Sequence, residues 1–293
     1  MKRNPQCFRR FWIRNKNLSA LLVAILLCSQ SGLATTLVVL VSGNAIVFGA
    51  DGKDVDAWVQ DSQLAIVGTG TFDKIAIIQN RILVSTTGIG RISGRYDFNS
   101  WIKSLPIANN TSVENAAAII KKKCGPIFKR EWDWQVRHSR TPVTNLSGDK
   151  SLPWVSYRVG GNELAGPRVY LVEIYIDWAN KRLKNPTIKT IYPPAKGVTT
   201  MKNIFVQYSS VNGGGMDQLF TKGSDIQRQY LKLYDREVGA AIYDEPLDVE
   251  GLRKLARILL TLEIETCPKS FSFPIKVCST IPRQGPSCKT YEQ

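Results

Sequence analysis

The chain has 293 residues, 43% of them apolar, and 39 Lys and Arg stand against 24 Asp and Glu, a formal charge of +15. Its one histidine, His138, sits in a polar basic stretch, which argues against a His-containing catalytic triad, and a single histidine cannot build a His-rich metal site. The cations are scattered and accompany no nucleic-acid motif, so the basic balance reads as a solvated face.

Residues 1–17 hold six cations (Lys2, Arg3, Arg9, Arg10, Arg14, Lys16) and no acid. A nearly unbroken apolar run follows from Leu18 to Cys28, then Ser29-Gln30-Ser31-Gly32-Leu33-Ala34 with small residues at Gly32 and Ala34. That order predicts a secretory signal peptide over residues 1–34 and an exported protein, periplasmic or extracellular. An uncleaved anchor is the alternative, but the apolar run is well short of the roughly 20 residues that a spanning helix needs. Cleavage after Ala34 would leave residues 35–293 as a single domain and lower the formal charge to +9. Four cysteines remain: Cys124, Cys267, Cys278 and Cys288. They show no C-x-x-C spacing, which argues against a structural zinc. An even count in an exported chain predicts disulfides, with three pairings open. A Cys278–Cys288 clip would pin the stretch from Pro274 to Gln293, which has little apolar periodicity.

The first predicted element is a hairpin of two apolar, β-branched runs, residues 35–41 and 45–50, joined through Ser42-Gly43-Asn44. A polar stretch from Asp51 to Asp73 follows, with a short apolar segment at Leu64–Val67. A second hairpin is expected over Lys74–Ile78 and Arg81–Thr86, turning at Gln79-Asn80 and ending at Gly88-Ile89-Gly90. Asp97–Leu105 reads as a short amphipathic helix. Thr111-Ser112-Val113-Glu114 has the capping-box pattern for a helix running on to Phe128. Residues 131–167 read as an insertion or covering loop with one strand at Trp154–Val159. Further strands are predicted at 169–177, 187–191 and 204–209, then a turn at Gly213-Gly214-Gly215 leading into helical sequence to about Tyr234. Leu252, Leu255, Ala256, Leu259 and Leu262 share one face of a helix over 249–265, and a last strand is expected at 274–278.

A chain that begins with threonine after processing holds a nucleophile and a base in one residue. The hydroxyl attacks, and the free α-amine, with an ordinary pKa near 7.7–8.0, takes the proton at neutral pH. Such chemistry requires no histidine, cofactor or metal. The residues around Thr35 resemble the proteasome β subunits, especially the bacterial ATP-dependent proteasome-like protease. The resemblance is carried by Thr35-Thr36-Leu37-Val38, by Gly49-Ala50-Asp51-Gly52 sixteen residues on, by Lys74-Ile75, and by Asn80-Arg81-Ile82-Leu83-Val84-Ser85-Thr86-Thr87-Gly88. It covers residues 35–90 well and the rest diffusely.

The resemblance implies an α+β fold, a four-layer αββα sandwich of the N-terminal-nucleophile hydrolase type. It also implies a site of Thr35, Asp51 and Lys74, with the Gly88 amide helping to form the oxyanion hole. Lys74 would lower the pKa of nucleophile and amine, and Asp51 would orient and balance that lysine. Of the family's supporting residues, a serine falls at Ser270 and another at Ser209 or Ser210, while an aspartate is replaced by Cys267. The expected activity is a threonine-type peptidase or amidohydrolase acting on a peptide or amide substrate. A homo-oligomer is implied by the family. An ATP-driven unfoldase is not expected for an exported chain. The alternative is a catalytically inactive envelope protein that uses the fold for binding or assembly.

Overall fold

The computed structural model describes residues 36–60, 63–92, 95–142, 150–194, 204–209, 247–266 and 272–292. In chain order its elements are β1 (Leu37–Ser42), β2 (Ala45–Ala50), β3 (Lys53–Gln60), β4 (Gln63–Thr71), β5 (Ile75–Ile78), β6 (Ile82–Gly88), β7 (Arg91–Ile92), β8 (Tyr96–Asp97), α1 (Phe98–Ser104) and α2 (Val113–Arg137). There follow β9 (Arg140–Pro142), β10 (Val155–Glu163), β11 (Gly166–Ile174), β12 (Ile176–Asp177), β13 (Arg182–Leu183), β14 (Thr187–Tyr192), β15 (Phe205–Ser209), α3 (Val249–Thr266), β16 (Ile275–Ile281) and β17 (Gln284–Tyr291).

Two five-stranded antiparallel sheets carry the fold. One runs β15-β1-β2-β16-β17 and the other β14-β11-β10-β6-β5. The β1–β2 hairpin closes through Gly43, whose φ of +55° suits glycine and matches the twist of a two-residue turn. Both strands are buried throughout, and their two faces serve different partners. Leu37, Val39, Val41, Ile46 and Phe48 face the second sheet and meet Ile75, Leu83 and Val169. Val38, Leu40 and Val47 face away and pack beneath Leu252, Leu255, Ala256 and Leu259 of α3. This two-residue alternation inside wholly apolar strands is the signature of strands covered on both sides. At Gly49 a Cβ would lie 2.8 Å from Leu260 Cδ1, so glycine lets α3 approach the sheet closely.

On its other face the second sheet meets α1 and α2 through an aromatic cluster that includes Tyr96, Phe98, Phe128, Trp132, Trp154 and Tyr157. The α2 helix starts one residue later than the sequence pattern suggests. Ser112 is the N-cap and its hydroxyl accepts from Asn115 N, while Glu163 of β10 accepts from Val113 N at 2.7 Å. The helix also continues through Pro126 to Arg137, past the expected end at Phe128. A mid-helix proline costs about 3 kcal/mol. Burial of Phe128 and Trp132, with Trp132 Nε1 donating to Lys181 O at 3.0 Å, offsets that cost. Within the span 131–167, residues to Arg137 are therefore helical, and β10 is a central strand of the second sheet rather than part of a cover.

The expectation of a four-layer αββα sandwich of the N-terminal-nucleophile type is corrected. The fold is β-rich: antiparallel strands dominate and the described residues form three helices. Five strands at about 4.8 Å spacing span some 20–25 Å, and a helix with its side chains is only about 10 Å across. Among the described residues the first sheet's outer face meets α3 alone, too little for a full helical layer. The polar stretch after Asp51, which carried no element in the sequence reading beyond a short apolar segment, forms the long β3–β4 hairpin, joined by β9 into a third sheet. The expected Gly213–Gly215 turn and the helical sequence to Tyr234 lie outside the described residues, as do residues 1–35. No described helix is long and apolar enough to cross a membrane.

Cys278 and Cys288 sit opposite each other on β16 and β17 and form a disulfide, so the pairing that the sequence left open includes this clip. Cys124 is a buried free thiol on α2, and burial pushes its pKa up to about 12.

Candidate active site

The start of β1, the end of β2 and the approach to β5 converge on one carboxylate. Asp51 follows β2 directly, and its backbone N donates to Thr36 O at 3.3 Å, one step beyond the Leu37–Ala50 pair. Its side chain is fully enclosed. Oδ1 accepts from Lys74 Nζ at 2.8 Å and from Thr36 N at 2.9 Å, and Oδ2 accepts from Lys53 N at 3.1 Å. The Asp51 and Lys74 side chains are 0% and 4% exposed. Burial pushes the Asp51 carboxyl above its ordinary range, while Lys74 and the two backbone amides pull the other way. Lys53, less enclosed, has its pKa lowered by burial, with Asp51 opposing and Lys74 adding to the shift.

Lys74 is placed by the second hairpin. Its carbonyl accepts from Thr86 N at 3.0 Å, which brings the end of β6 alongside it. Gly88 closes β6 two residues later, opposite Val155 of β10. Its φ is +87°, and a Cβ there would lie 2.2 Å from the Trp154 carbonyl oxygen. Only glycine fits that position. Gly88 is exposed, whereas Thr86 and Thr87 just before it are buried, so the end of β6 marks the surface end of the site.

Three buried hydroxyls around the ion pair have no hydrogen-bond partner among the described residues: Thr36 Oγ1, Ser85 Oγ and Thr86 Oγ1. Thr36 is tied to Asp51 through its amide, Thr86 to Lys74 through its own, and Ser85 lies opposite Ile75. Ser85 and Thr86 are consecutive on β6 and so point to opposite faces of the second sheet, Ser85 with Leu83 toward the inter-sheet layer and Thr86 with Ile82 and Val84 toward the helices.

Of the residues predicted from sequence, Asp51 and Lys74 are thus in direct contact, and Gly88 lies at the same end of the second sheet. Thr35 and Ser270 lie outside the described residues, as do Ser210 and Cys267. Thr36 is described, and its nitrogen, 2.9 Å from Asp51, is the nitrogen of the Thr35–Thr36 peptide. Ser209 ends β15, where it pairs with Leu37.

The sequence reading missed a further polar cluster between the sheets. Arg158 of β10 is buried; its Nη1 donates to Thr87 Oγ1 at 3.2 Å and to Ser156 Oγ at 3.0 Å, and its Nε donates to Gln207 Oε1 of β15 at 3.4 Å. The two hydroxyls are 2.6 Å apart. Alternation along Trp154–Val159 places Ser156 and Arg158 on one face, but the sequence does not say that this face looks into the inter-sheet layer. No protein-family model matches the chain, and no curated protein matches it.

Proposed function

We propose that the chain is an exported threonine-type hydrolase of peptide or amide bonds, whose nucleophile is Thr35 freed by removal of residues 1–34. The observation that carries this reading is the enclosed Lys74–Asp51 pair, hydrogen-bonded to the amide of the peptide that Thr35 begins. The reading rests on the chemistry of the site and not on the fold, since one chemistry recurs on unrelated architectures.

Each residue has a task in that reaction. The Thr35 hydroxyl attacks the substrate carbonyl while the Thr35 α-amine accepts its proton. The Lys74 ammonium, in a water-poor setting, stabilises negative charge developing on the attacking oxygen. Asp51 balances and aims Lys74, because an unpaired ammonium at this depth is costly. The amide at the end of β6, at Gly88, donates to the carbonyl oxygen as it becomes an oxyanion. The acyl group passes to Thr35 as the amine leaving group departs with the proton. Water then cleaves the ester, with the α-amine again as base. The Cys278–Cys288 disulfide supports export, because such bonds persist in oxidising compartments.

The test has two stages. Amino-terminal sequencing of the mature protein should begin at Thr35, and a peptide epoxyketone should then modify that residue, read by mass spectrometry. Thr35→Ala should abolish the adduct while leaving the unfolding midpoint unchanged. A mature chain that starts later, or a correctly processed chain that forms no adduct, would sink the hydrolase and leave a binding or assembly role.

A further inference from the structure

The outward face of α2 is strongly basic, and no step of the reaction just described uses it. Lys122, Lys123, Lys129, Arg130 and Arg137 are all exposed. At about 100° per residue they share an arc of about 120° and run along about 22 Å of helix. The buried side chains Val113, Ala117, Ile120, Cys124 and Phe128 lie on the opposite side. The stripe exists because α2 continues through Pro126: a helix ending at Phe128 would not hold Lys129, Arg130 and Arg137 in line with Lys122 and Lys123.

Counter-charges along this face are few. The stretch from Lys122 to Arg137 holds two acids, Glu131 and Asp133. Glu131 is buried and ion-paired to Arg95 at 3.3 Å, and Asp133 is ion-paired to Lys129 at 2.7 Å. Lys122, Lys123, Arg130 and Arg137 therefore make no ion pair among the described residues, whereas Arg182 is matched by Asp177, Lys189 by Glu173 and Lys289 by Glu250. The flanks add charge. Exposed Lys181 adjoins α2 through its carbonyl, which accepts from Trp132 Nε1, and Arg95 and Arg140 lie over the Trp134 ring at 5.2 and 5.1 Å. Cations gathered this way reinforce one another's field.

The apolar residues of the same arc give a second pointer. Pro126 and Val136 are exposed among the cations, Val136 by 44%. A helix face that mixes lysine and arginine with apolar side chains suits a bilayer interface, where phosphates and acyl chains meet. Single-stranded nucleic acid would call for bare rings to stack its bases, but Trp134 is already covered by Arg95, Arg140 and the stacked His138.

We propose that this face of α2 docks the protein on a membrane rich in anionic phospholipid, with its cations on the lipid phosphates and Pro126 and Val136 at the headgroup boundary. The proposal does not depend on the hydrolase reading. A basic face that is merely solvated is the competing account.

The experiment co-sediments the full processed protein with vesicles of phosphatidylcholine alone or mixed equally with phosphatidylglycerol. Binding to the anionic vesicles should be at least roughly tenfold tighter, and should vanish in 1 M salt, where the Debye length is about 3 Å. The triple variant Lys122→Gln, Lys123→Gln, Arg130→Gln should bind about a hundredfold more weakly with an unchanged unfolding midpoint, since all three side chains are exposed. A control with the same change in net charge, Lys103→Gln, Lys254→Gln, Arg283→Gln, neutralises exposed cations on other elements and should stay within about threefold of wild type. Equal binding to both vesicle types overturns the proposal. An equal loss in the control overturns the assignment to α2. Heparin or duplex DNA that displaces the protein from vesicles at equal charge concentration overturns the membrane and makes the face a site for a soluble polyanion.

Discussion

Replacing Asp51 by asparagine tests the physical core of the site without any assumption about catalysis. Three donors converge on the two carboxylate oxygens: Lys74 Nζ and Thr36 N on one, Lys53 N on the other. An amide has a single acceptor oxygen, so whichever way the new side chain turns, its NH2 must face a donor. It also leaves the Lys74 ammonium, 4% exposed, without its counter-charge. Removing one member of such a pair costs about 3–5 kcal/mol. At about 2–4 °C per kcal/mol for a domain of this size, the unfolding midpoint should fall by roughly 10 °C. Lys74→Met should cost less, because the carboxyl left behind keeps both backbone amides and can take up a proton. The double variant Asp51→Leu with Lys74→Met should be more stable than Asp51→Asn alone, since it leaves no buried charge uncompensated. Equilibrium urea unfolding of the four proteins at neutral pH measures this directly. Single-variant losses below about 1 kcal/mol, or a double variant less stable than Asp51→Asn, would show that the pair is solvated and that the reasoning about its desolvation is wrong.

Gly88→Ala should destabilise the chain by about 1–3 kcal/mol, because φ is +87° and the new methyl would lie 2.2 Å from the Trp154 carbonyl oxygen; a thermal midpoint equal to wild type would refute that geometry. The disulfide closes a short segment with a sequence separation of 10, for which chain entropy gives about 2–3 kcal/mol. Cys278→Ser with Cys288→Ser should lower the urea midpoint, and wild-type protein under reductant should follow it; unchanged midpoints would mean that the β16–β17 ribbon needs no covalent support.

Much of the framework was legible locally. The Gly43-Asn44 turn between apolar runs gave the first hairpin, Gln79-Asn80 the second, and the apolar spacing of 249–265 gave α3 to within a residue at its end. The cysteine spacing near the C-terminus gave a clip that the register of β16 and β17 makes possible, since Cys278 and Cys288 face each other. The β3–β4 hairpin was missed because the alternation of Asp54 and Asp56 with Val55, Ala57 and Val59 is short and is interrupted by Trp58. The end of α2 was misjudged because Pro126 is a local breaker, whereas the helix is held by tertiary burial of Phe128 and Trp132.

The sequence alone determined that a threonine follows a leader-like segment, that an aspartate lies sixteen residues on and a lysine opens the next hairpin, and that no histidine chemistry competes. Those are properties of residue type and spacing, readable without coordinates. Only the tertiary structure decided that Asp51 and Lys74 meet at 2.8 Å, that the architecture is β-rich rather than four-layered, and that Arg158 points into the layer between the sheets. Strand periodicity assigns residues to two faces, but it cannot say what covers each face when both are buried. That depends on how distant strands pair and stack, a contest of burial and desolvation energies settled across the whole chain.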